Sequence, residues 1–177
     1  MLITIMPRMR AGKATSGGTG RFAQVKIALG CDHAGFGLKE EIVGLLKSLG
    51  LEFIDCGTNG TESVDYPDFG EKVSDLVSSG KVERGILICG TGLGMSMVAN
   101  KFPNVRAALC NDLFSARMSR LHNDANVLVL GGRVIGRDLA YEIVKTWMTT
   151  PFEGSRHLRR LDKIRKIEEN LKADGNG

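Results

Sequence analysis

The chain has 177 residues, a formal net charge of +4, 42% hydrophobic residues and 25% charged residues. This length suits one domain with a sizeable core, and the composition is typical of a globular protein. The basic residues concentrate near the C-terminus, which argues against a broad nucleic-acid surface, and no apolar run approaches the roughly 20 residues of a membrane span. Four cysteines without a CxxC pair or a secretory signal indicate a reduced, cytoplasmic protein.

Residues 1–24 show little hydrophobic periodicity and have a middle rich in Gly, Ser and Thr. The opening apolar residues are too few for the hydrophobic region of a signal peptide, and no convincing cleavage pattern follows. We interpret this stretch as a disordered leader, a cloning remnant or a mis-assigned start. A single domain is therefore expected over residues 25–177.

From residue 25 onward, short apolar runs alternate with amphipathic segments. The apolar runs predict strands at VKIAL (25–29), LEFID (51–55), GILIC (85–89), RAALC (106–110) and NVLVLG (126–131). The amphipathic segments predict helices at residues 38–50, 66–80, 92–101, 112–123, 137–150 and 156–173. Apolar strands alternating with helices are typical of a parallel sheet covered on both faces, so we expect an α/β protein, a Rossmann-like three-layer α/β/α sandwich of about five strands.

The last predicted helix is rich in charge and also carries a long apolar stripe. The stripe consists of Leu158, Leu161, Ile164, Ile167 and Leu171. It is longer than packing on the sheet requires, so we expect this C-terminal helix to pack on a partner subunit.

Polar residues cluster beside several of the predicted strands. They lie in GCDHAG after the first strand, CGTGLG after the third, LHND before the fifth and GGR after the fifth. Ligands of doubly wound sheets bind beyond the carboxyl ends of the strands. We therefore expect these segments to converge on one crevice.

The segment CGTGLG is the first candidate for a ligand site. Its three glycines allow backbone N–H groups to approach a ligand, and the following helix adds partial positive charge. A dinucleotide fingerprint needs its third glycine one position later and an acidic residue at the end of the next strand, which here ends in LCND. Glycines that serve only tight packing are the alternative. Cys89 precedes them, and a thiol at a helix N-terminus can act as a base or nucleophile, although a buried strand cysteine is more often inert.

Other polar residues near the strand ends are further candidates. Asp32 could hold a sugar hydroxyl, His33 could meet a phosphate or move a proton, and His122 with Asn123 forms a second polar pair. The candidates for a phosphate clamp are Arg133, Arg156 and Arg160. For the last two, a solvated helix face is the alternative. Because no ligand pair follows at zinc-finger spacing, no metal site is predicted.

Several motifs together resemble the ribose-5-phosphate isomerase type B family: GCDHAG, DYPDFG, GILICGTGLGMSMVANK, SRLHNDANVL and EGSRHLRRLDKI. That family includes the galactose-6-phosphate isomerase subunits and enzymes acting on allose 6-phosphate. The resemblance implies the interconversion of ribose 5-phosphate and ribulose 5-phosphate through an enediolate, without a metal or organic cofactor. Isomerisation of a six-carbon sugar phosphate and non-catalytic sugar-phosphate binding are the alternatives.

The resemblance also implies a role for each candidate residue. Cys89 is implied as the base, because Met95 stands where other members have a glutamate, and His122 as the acid that opens the sugar ring. The implied oxyanion hole consists of Gly90, Thr91 with its hydroxyl, Gly92, Leu93 and Gly94. The residues implied for the sugar are Asp32, Asn123 and Tyr66, and those implied for the phosphate are His33, Arg133, Arg156 and Arg160. A homodimer whose sites draw on both subunits is implied as well, with a tetramer left open.

Overall fold

The computed structural model describes residues 25–174, so the predictions for residues 1–24 and 175–177 lie outside the described residues. The strands are β1 (Ile27–Cys31), β2 (Phe53–Asp55), β3 (Arg84–Cys89), β4 (Ala107–Leu109) and β5 (Val127–Gly131). The helices are α1 (Phe36–Ser48), α2 (Tyr66–Ser78), α3 (Leu93–Ala99), α4 (Leu113–Asn123), α5 (Arg137–Thr149) and α6 (Arg156–Asp174).

The five strands form one parallel sheet in the order β2-β1-β3-β5-β4. This confirms the predicted fold class and strand number. The two edge strands are the shortest, with three residues each, because only one neighbour supplies their hydrogen bonds. Strand β1 ends later than predicted, since Gly30 continues the strand rather than ending it. A β-carbon at Gly30 would lie 2.8 Å from a methyl carbon of Val73, so this position needs glycine.

Two apolar cores lie on opposite faces of the sheet. Along β3, Ile86 and Ile88 contribute to one core while Leu87 and Cys89 contribute to the other, because successive side chains of a strand alternate. Helices α1, α4 and α5 cover the first face, and α2 and α3 cover the second. The three-layer sandwich is therefore confirmed, and the Cys89 side chain lies on the face that carries α2 and α3.

The only tryptophan of the chain, Trp147 in α5, is fully buried near the amino ends of the strands. The guanidinium carbons of Arg84 and Arg120 lie over its ring, 5.2 and 5.6 Å from the centroid. Arg84 donates to the carbonyl of Met148 (2.9 Å), and Arg120 donates to the carbonyl of Ala125 (2.6 Å). Burial and the charge of Arg120 lower the pKa of Arg84 to about 10, so Arg84 still carries its charge at neutral pH.

A buried lysine ties α1 to the edge strand β2. Lys39 is 1% exposed, and its Nζ donates to Asp55 Oδ2 and to the carbonyl of Thr58, each at 2.9 Å. Burial alone lowers the pKa of Lys39, but the hydrogen bond and ion pair with Asp55 outweigh this effect, and the net pKa is raised. The ammonium group is therefore charged; Asp55 is its nearer carboxylate partner, and Glu40 Oε1 is a second one at 3.3 Å.

Helix α6 packs against α4, and Glu168 accepts a hydrogen bond from the backbone N–H of Asn104 (3.3 Å). Much of its apolar stripe is exposed, namely Leu158, Ile164, Ile167 and Leu171. Packing of this helix on a partner subunit stays a prediction. None of the helices in the described part of the chain combines the length and the apolar composition that a membrane crossing requires.

Replacing Asp55 with Asn tests the buried ion pair. We expect Asp55→Asn to lower the free energy of unfolding by about 2 kcal/mol, because it removes the nearer of the two carboxylates beside the buried ammonium and leaves only Glu40, at 3.3 Å. The matched control is Asp75→Asn, whose carboxylate lies 3.9 Å from Lys81 with both side chains well exposed. It should change stability by less than about 1 kcal/mol in urea denaturation. Equal effects of the two variants would contradict this account.

Candidate active site

The glycine turn after β3 directs the backbone N–H of Gly92 towards Cys89. Gly92 has φ +79°, and its N–H donates to Cys89 Sγ at 3.2 Å. A β-carbon at Gly92 would collide with Leu109, so the turn requires glycine here. The next N–H, from Leu93, donates to Thr91 Oγ1 at 3.3 Å. Helix α3 has only seven residues. We therefore expect the N–H groups of the turn to stabilise negative charge beside Cys89 more than the helix dipole does.

The turn after β5 is hydrogen-bonded to the same stretch of chain. The N–H of Gly132 donates to the carbonyl of Cys89 (2.8 Å), and the N–H of Arg133 donates to the carbonyl of Gly90 (2.9 Å). A β-carbon at Gly90 would lie 3.7 Å from Arg133 Cδ, so the arginine side chain runs along Gly90. Arg133 therefore lies beside the glycine turn, as predicted.

Asp32 and His33 directly follow β1 and lie at the same end of the sheet as the glycine turn. Asp32 is 5% exposed; its N–H donates to the carbonyl of Ile88 (3.2 Å), and its Oδ1 accepts from the N–H of Gly35 (2.9 Å). His33 Nδ1 lies 3.2 Å from the backbone N–H of Val64, which connects it to the loop before α2. The carboxylate of Asp32 is thus held in a fixed orientation next to the end of β3.

Tyr66, the first residue of α2, lies against the glycine turn. A β-carbon at Gly94 would lie 2.6 Å from the Tyr66 ring, so only glycine leaves room for the ring. We call the residues gathered at the carboxyl ends of the strands the thiol cluster. They are Asp32, His33, Tyr66, Cys89, Gly90, Thr91, Gly92, Leu93, Gly94 and Arg133.

Three other thiols differ from Cys89 in their surroundings. Burial raises the pKa of Cys31 to about 12 and that of Cys110 to about 11, and burial also raises the pKa of Cys56. All four cysteines are free. Cys31 and Cys110 are therefore protonated at neutral pH. Cys89 is also buried, at 5% exposure, but its sulfur accepts a hydrogen bond from the N–H of Gly92.

A second group of polar residues surrounds His122. The rings of His122 and His157 are stacked, with centroids 4.2 Å apart and planes 7° from parallel. Glu153 Oε2 lies 3.9 Å from His122 Nε2 and 3.8 Å from His157 Nε2. Arg156 Nε donates to His157 Nε2 at 3.3 Å. We call this group the histidine cluster; its members are His122, Asn123, Glu153, Arg156, His157 and Arg160.

We call the end of the sheet at which the strands begin the amino edge, and the end at which they finish the carboxyl edge. The histidine cluster lies at the amino edge, and Cys89 lies at the carboxyl edge. Gly131, at the end of β5, pairs with Cys89, whereas Val127, at its start, pairs with Gly85. The carbonyl of Asn123, just before β5, accepts from Arg106, which precedes β4. The length of β5 alone separates the two edges by about 13 Å.

The expectation that LHND converges with the other segments is therefore wrong within one chain. Helix α4 returns antiparallel to the strands, so His122 and Asn123 at its end lie at the amino edge of the sheet. Helix α6 begins at Arg156, and its first turns, which include Arg160, lie at the same edge because His157 stacks on His122. The structure thus divides the predicted site residues into two groups.

Glu153 and His157 are not among the residues predicted from the sequence. Both lie in the segment EGSRH, in which only Arg156 is a predicted site residue. His157 is 2% exposed, and burial and the neighbouring His122 lower its pKa, so the ring is neutral at neutral pH. Its burial against His122 is a long-range contact that spacing alone does not reveal.

Comparison with known proteins bears on the function of this arrangement. A sequence profile described as "Ribose/Galactose Isomerase" matches residues 27–164, which include both clusters. The chain belongs to the ribose/galactose isomerase family. Within it, the chain is similar to ribose-5-phosphate isomerase B of Escherichia coli (strain K12), at 51% identity over 144 residues that cover 81% of this chain and 97% of the relative.

Solved structures of the family have the same fold. The ribose-5-phosphate isomerase B of Clostridium thermocellum superimposes with a TM-score of 0.81 at 57% identity, covering 82% of this chain and 99% of that chain. The ribose-5-phosphate isomerase B of Mycoplasma genitalium, with bound ribulose 5-phosphate, gives a TM-score of 0.79 at 40% identity, covering 82% and 97%. In both comparisons the structural similarity covers 82% of this chain.

Alkylation with iodoacetamide at pH 8 tests the distinction between the thiols. We expect Cys89 to be modified in the folded protein well before Cys31 and Cys110, because a pKa of about 11 leaves about one thiol in a thousand ionised at that pH. Mass spectrometry of tryptic peptides measures the order, and urea-unfolded protein, in which all four react, is the control. Modification of Cys31 or Cys110 ahead of Cys89 would show that Cys89 is closed off.

Proposed function

We propose that this member of the ribose/galactose isomerase family interconverts ribose 5-phosphate and ribulose 5-phosphate. The observation that carries the proposal is the thiol of Cys89 at a glycine turn, where the N–H of Gly92 donates to the sulfur. The names of the related proteins support the pentose substrate, and so does the ribulose 5-phosphate bound in the Mycoplasma genitalium structure. We also propose a cytoplasmic location.

In the proposed reaction, the Cys89 thiolate removes the proton from the carbon next to the carbonyl. The electron pair of the broken C–H bond forms the enediolate, and the thiol returns the proton to the neighbouring carbon. The developing oxyanion accepts hydrogen bonds from the N–H groups of the Gly90–Gly94 turn, with the Thr91 hydroxyl assisting. Such donors are typically worth about 3 kcal/mol each in the barrier. Tyr66 and Asp32 line the sugar pocket beside this turn.

The acid that opens the sugar ring is proposed to come from a second copy of the chain. His122 is the proposed donor to the ring oxygen, yet within one chain it lies at the other edge of the sheet. A homodimer in which the histidine cluster of one subunit faces the thiol cluster of the other places base and acid on one substrate. The phosphate is then surrounded by His33, Arg133 and the partner's Arg156 and Arg160. The exposed stripe of α6 supplies apolar contact area for the dimer.

A six-carbon sugar phosphate is the second candidate substrate, because the family description includes galactose isomerases. A non-catalytic binding module is less well supported, since it has no use for a thiol and an acid together. Comparing turnover of ribose 5-phosphate, allose 6-phosphate and galactose 6-phosphate by the purified protein decides between the pentose and the hexoses.

Removing the thiol tests the proposed base. We expect Cys89→Ala to lower kcat for ribose 5-phosphate by about 10²–10⁴-fold, the usual contribution of a positioned base, while ribose 5-phosphate still binds. Cys56→Ala, which removes a half-buried thiol outside both clusters, is the matched control and should retain activity. Calorimetric binding and a coupled isomerase assay supply the two measurements. Wild-type turnover in Cys89→Ala would remove the assigned base.

Mixing two inactive variants tests whether the site is shared. A dimer of one Cys89→Ala chain and one His122→Asn chain has one intact site and one that lacks both residues. Random reassembly makes half of the dimers mixed, so activity should recover to about a quarter of the wild-type value.

The recovery is measured after joint unfolding and refolding of equal amounts of the two variants. Variants refolded separately and then mixed cold are the control, and they should stay inactive. A site contained within one chain predicts no recovery in either mixture.

A further inference from the structure

The histidine cluster brings together three side chains of the types that bind metal ions. One ring nitrogen of His122, one ring nitrogen of His157 and a carboxylate oxygen of Glu153 all lie within 4.8 Å of one another. The carboxylate oxygen is 3.9 Å from the first nitrogen and 3.8 Å from the second. Ligand atoms around a tetrahedral zinc ion lie about 3.3 Å apart, given metal–ligand bonds near 2 Å. The carboxylate must move by roughly 0.5 Å, and one ring must rotate out of the stack, because a metal ion lies in the plane of each imidazole that binds it.

The three residues differ in mobility in a way that suits an incoming ion. His157 is only 2% exposed, so its ring is held in place by its neighbours. The side chains of His122 and Glu153 are 35% and 42% exposed, so both can adjust and an ion can reach them. Glu153 and His157 are four residues apart across a tight turn in which Ser155 has φ +49°, which keeps the two ligands together.

Positive charge opposes the binding of a cation here. Arg156 Nε donates to His157 Nε2 at 3.3 Å and would have to leave before that nitrogen could bind a metal. The Arg156 side chain is exposed, so it can swing into solvent. Arg160, on the next turn of α6, adds a second positive charge. The site is therefore expected to bind more tightly when Arg156 is absent.

We propose that His122, Glu153 and His157 form a binding site for Zn²⁺ and that the bound ion inhibits the isomerase. Two imidazoles and one carboxylate are a ligand set that zinc accepts with an open fourth position, whereas Mg²⁺ prefers oxygen ligands. The ion would occupy His122 Nε2, the atom assigned to protonate the sugar ring. Inhibition, unlike binding, rests on the proposed function.

Calorimetric titration with ZnCl₂ tests the site on the full chain in the Cys89→Ala background, which removes the thiol of the thiol cluster. We expect one Zn²⁺ per chain, with binding weakened by about tenfold or more in Glu153→Gln and in His157→Asn. Glu142→Gln, which removes an exposed carboxylate outside both clusters, should leave the affinity unchanged. Arg156→Ala should increase the affinity, and MgCl₂ should give no binding.

Equal zinc affinity in the parent and in Glu153→Gln would overturn the site. So would tight zinc binding by protein with Cys89 that is lost in Cys89→Ala, since the thiol would then be the main ligand. Glu153 is exposed, so its variant remains informative even where His157→Asn fails to fold, which circular dichroism detects. Zinc that binds as expected without inhibiting protein with an intact Cys89 overturns the inhibition and counts against the acid role of His122, but leaves the metal site standing.

Discussion

In a parallel sheet, each connecting helix must carry the chain back to the edge at which the next strand begins. Residues that follow a strand therefore gather at one edge of this molecule, and residues that precede a strand gather at the other. Cys89 and Asp32 belong to the first group, whereas His122 and His157 belong to the second. The sheet keeps the thiol and these imidazoles apart within a chain, so they cannot form the intramolecular Cys–His pair that activates many cysteine nucleophiles.

Most of the fold could be predicted from the sequence because β1, β3 and β5 are buried on both faces and are therefore almost continuously apolar. The predicted strand bounds are wrong where packing or strand pairing, not hydrophobicity, decides where a strand begins or ends. The apolar run predicts that the first strand stops before Gly30, but Gly30 lies inside β1, where Val73 packs against it. Strand β2 begins two residues later than its predicted run, and β4 is one residue shorter at each end; both strands pair on one side only.

The candidate site was predictable in part. Residues directly after strands were placed correctly, because Cys89 and Asp32 project from strand ends whose position the fold fixes. LHND was misplaced because it was grouped by closeness to β5 without regard to the direction of α4. Glu153 and His157 depend on the connection between α5 and α6, where a backbone hydrogen bond from Glu153 to Leu121 brings remote segments together. Neither composition nor periodicity encodes such a contact.

The burial of Trp147 makes one part of the molecule visible to spectroscopy. Its indole lies beneath two guanidinium groups, one of which belongs to Arg120 on α4, the helix that ends in His122 and Asn123. A lone indole enclosed in this way emits from a dry, highly charged environment, and water entering the amino edge would redden that emission. The chain thus contains its own fluorescent reporter of the edge that carries the histidine cluster, without any dye or added label.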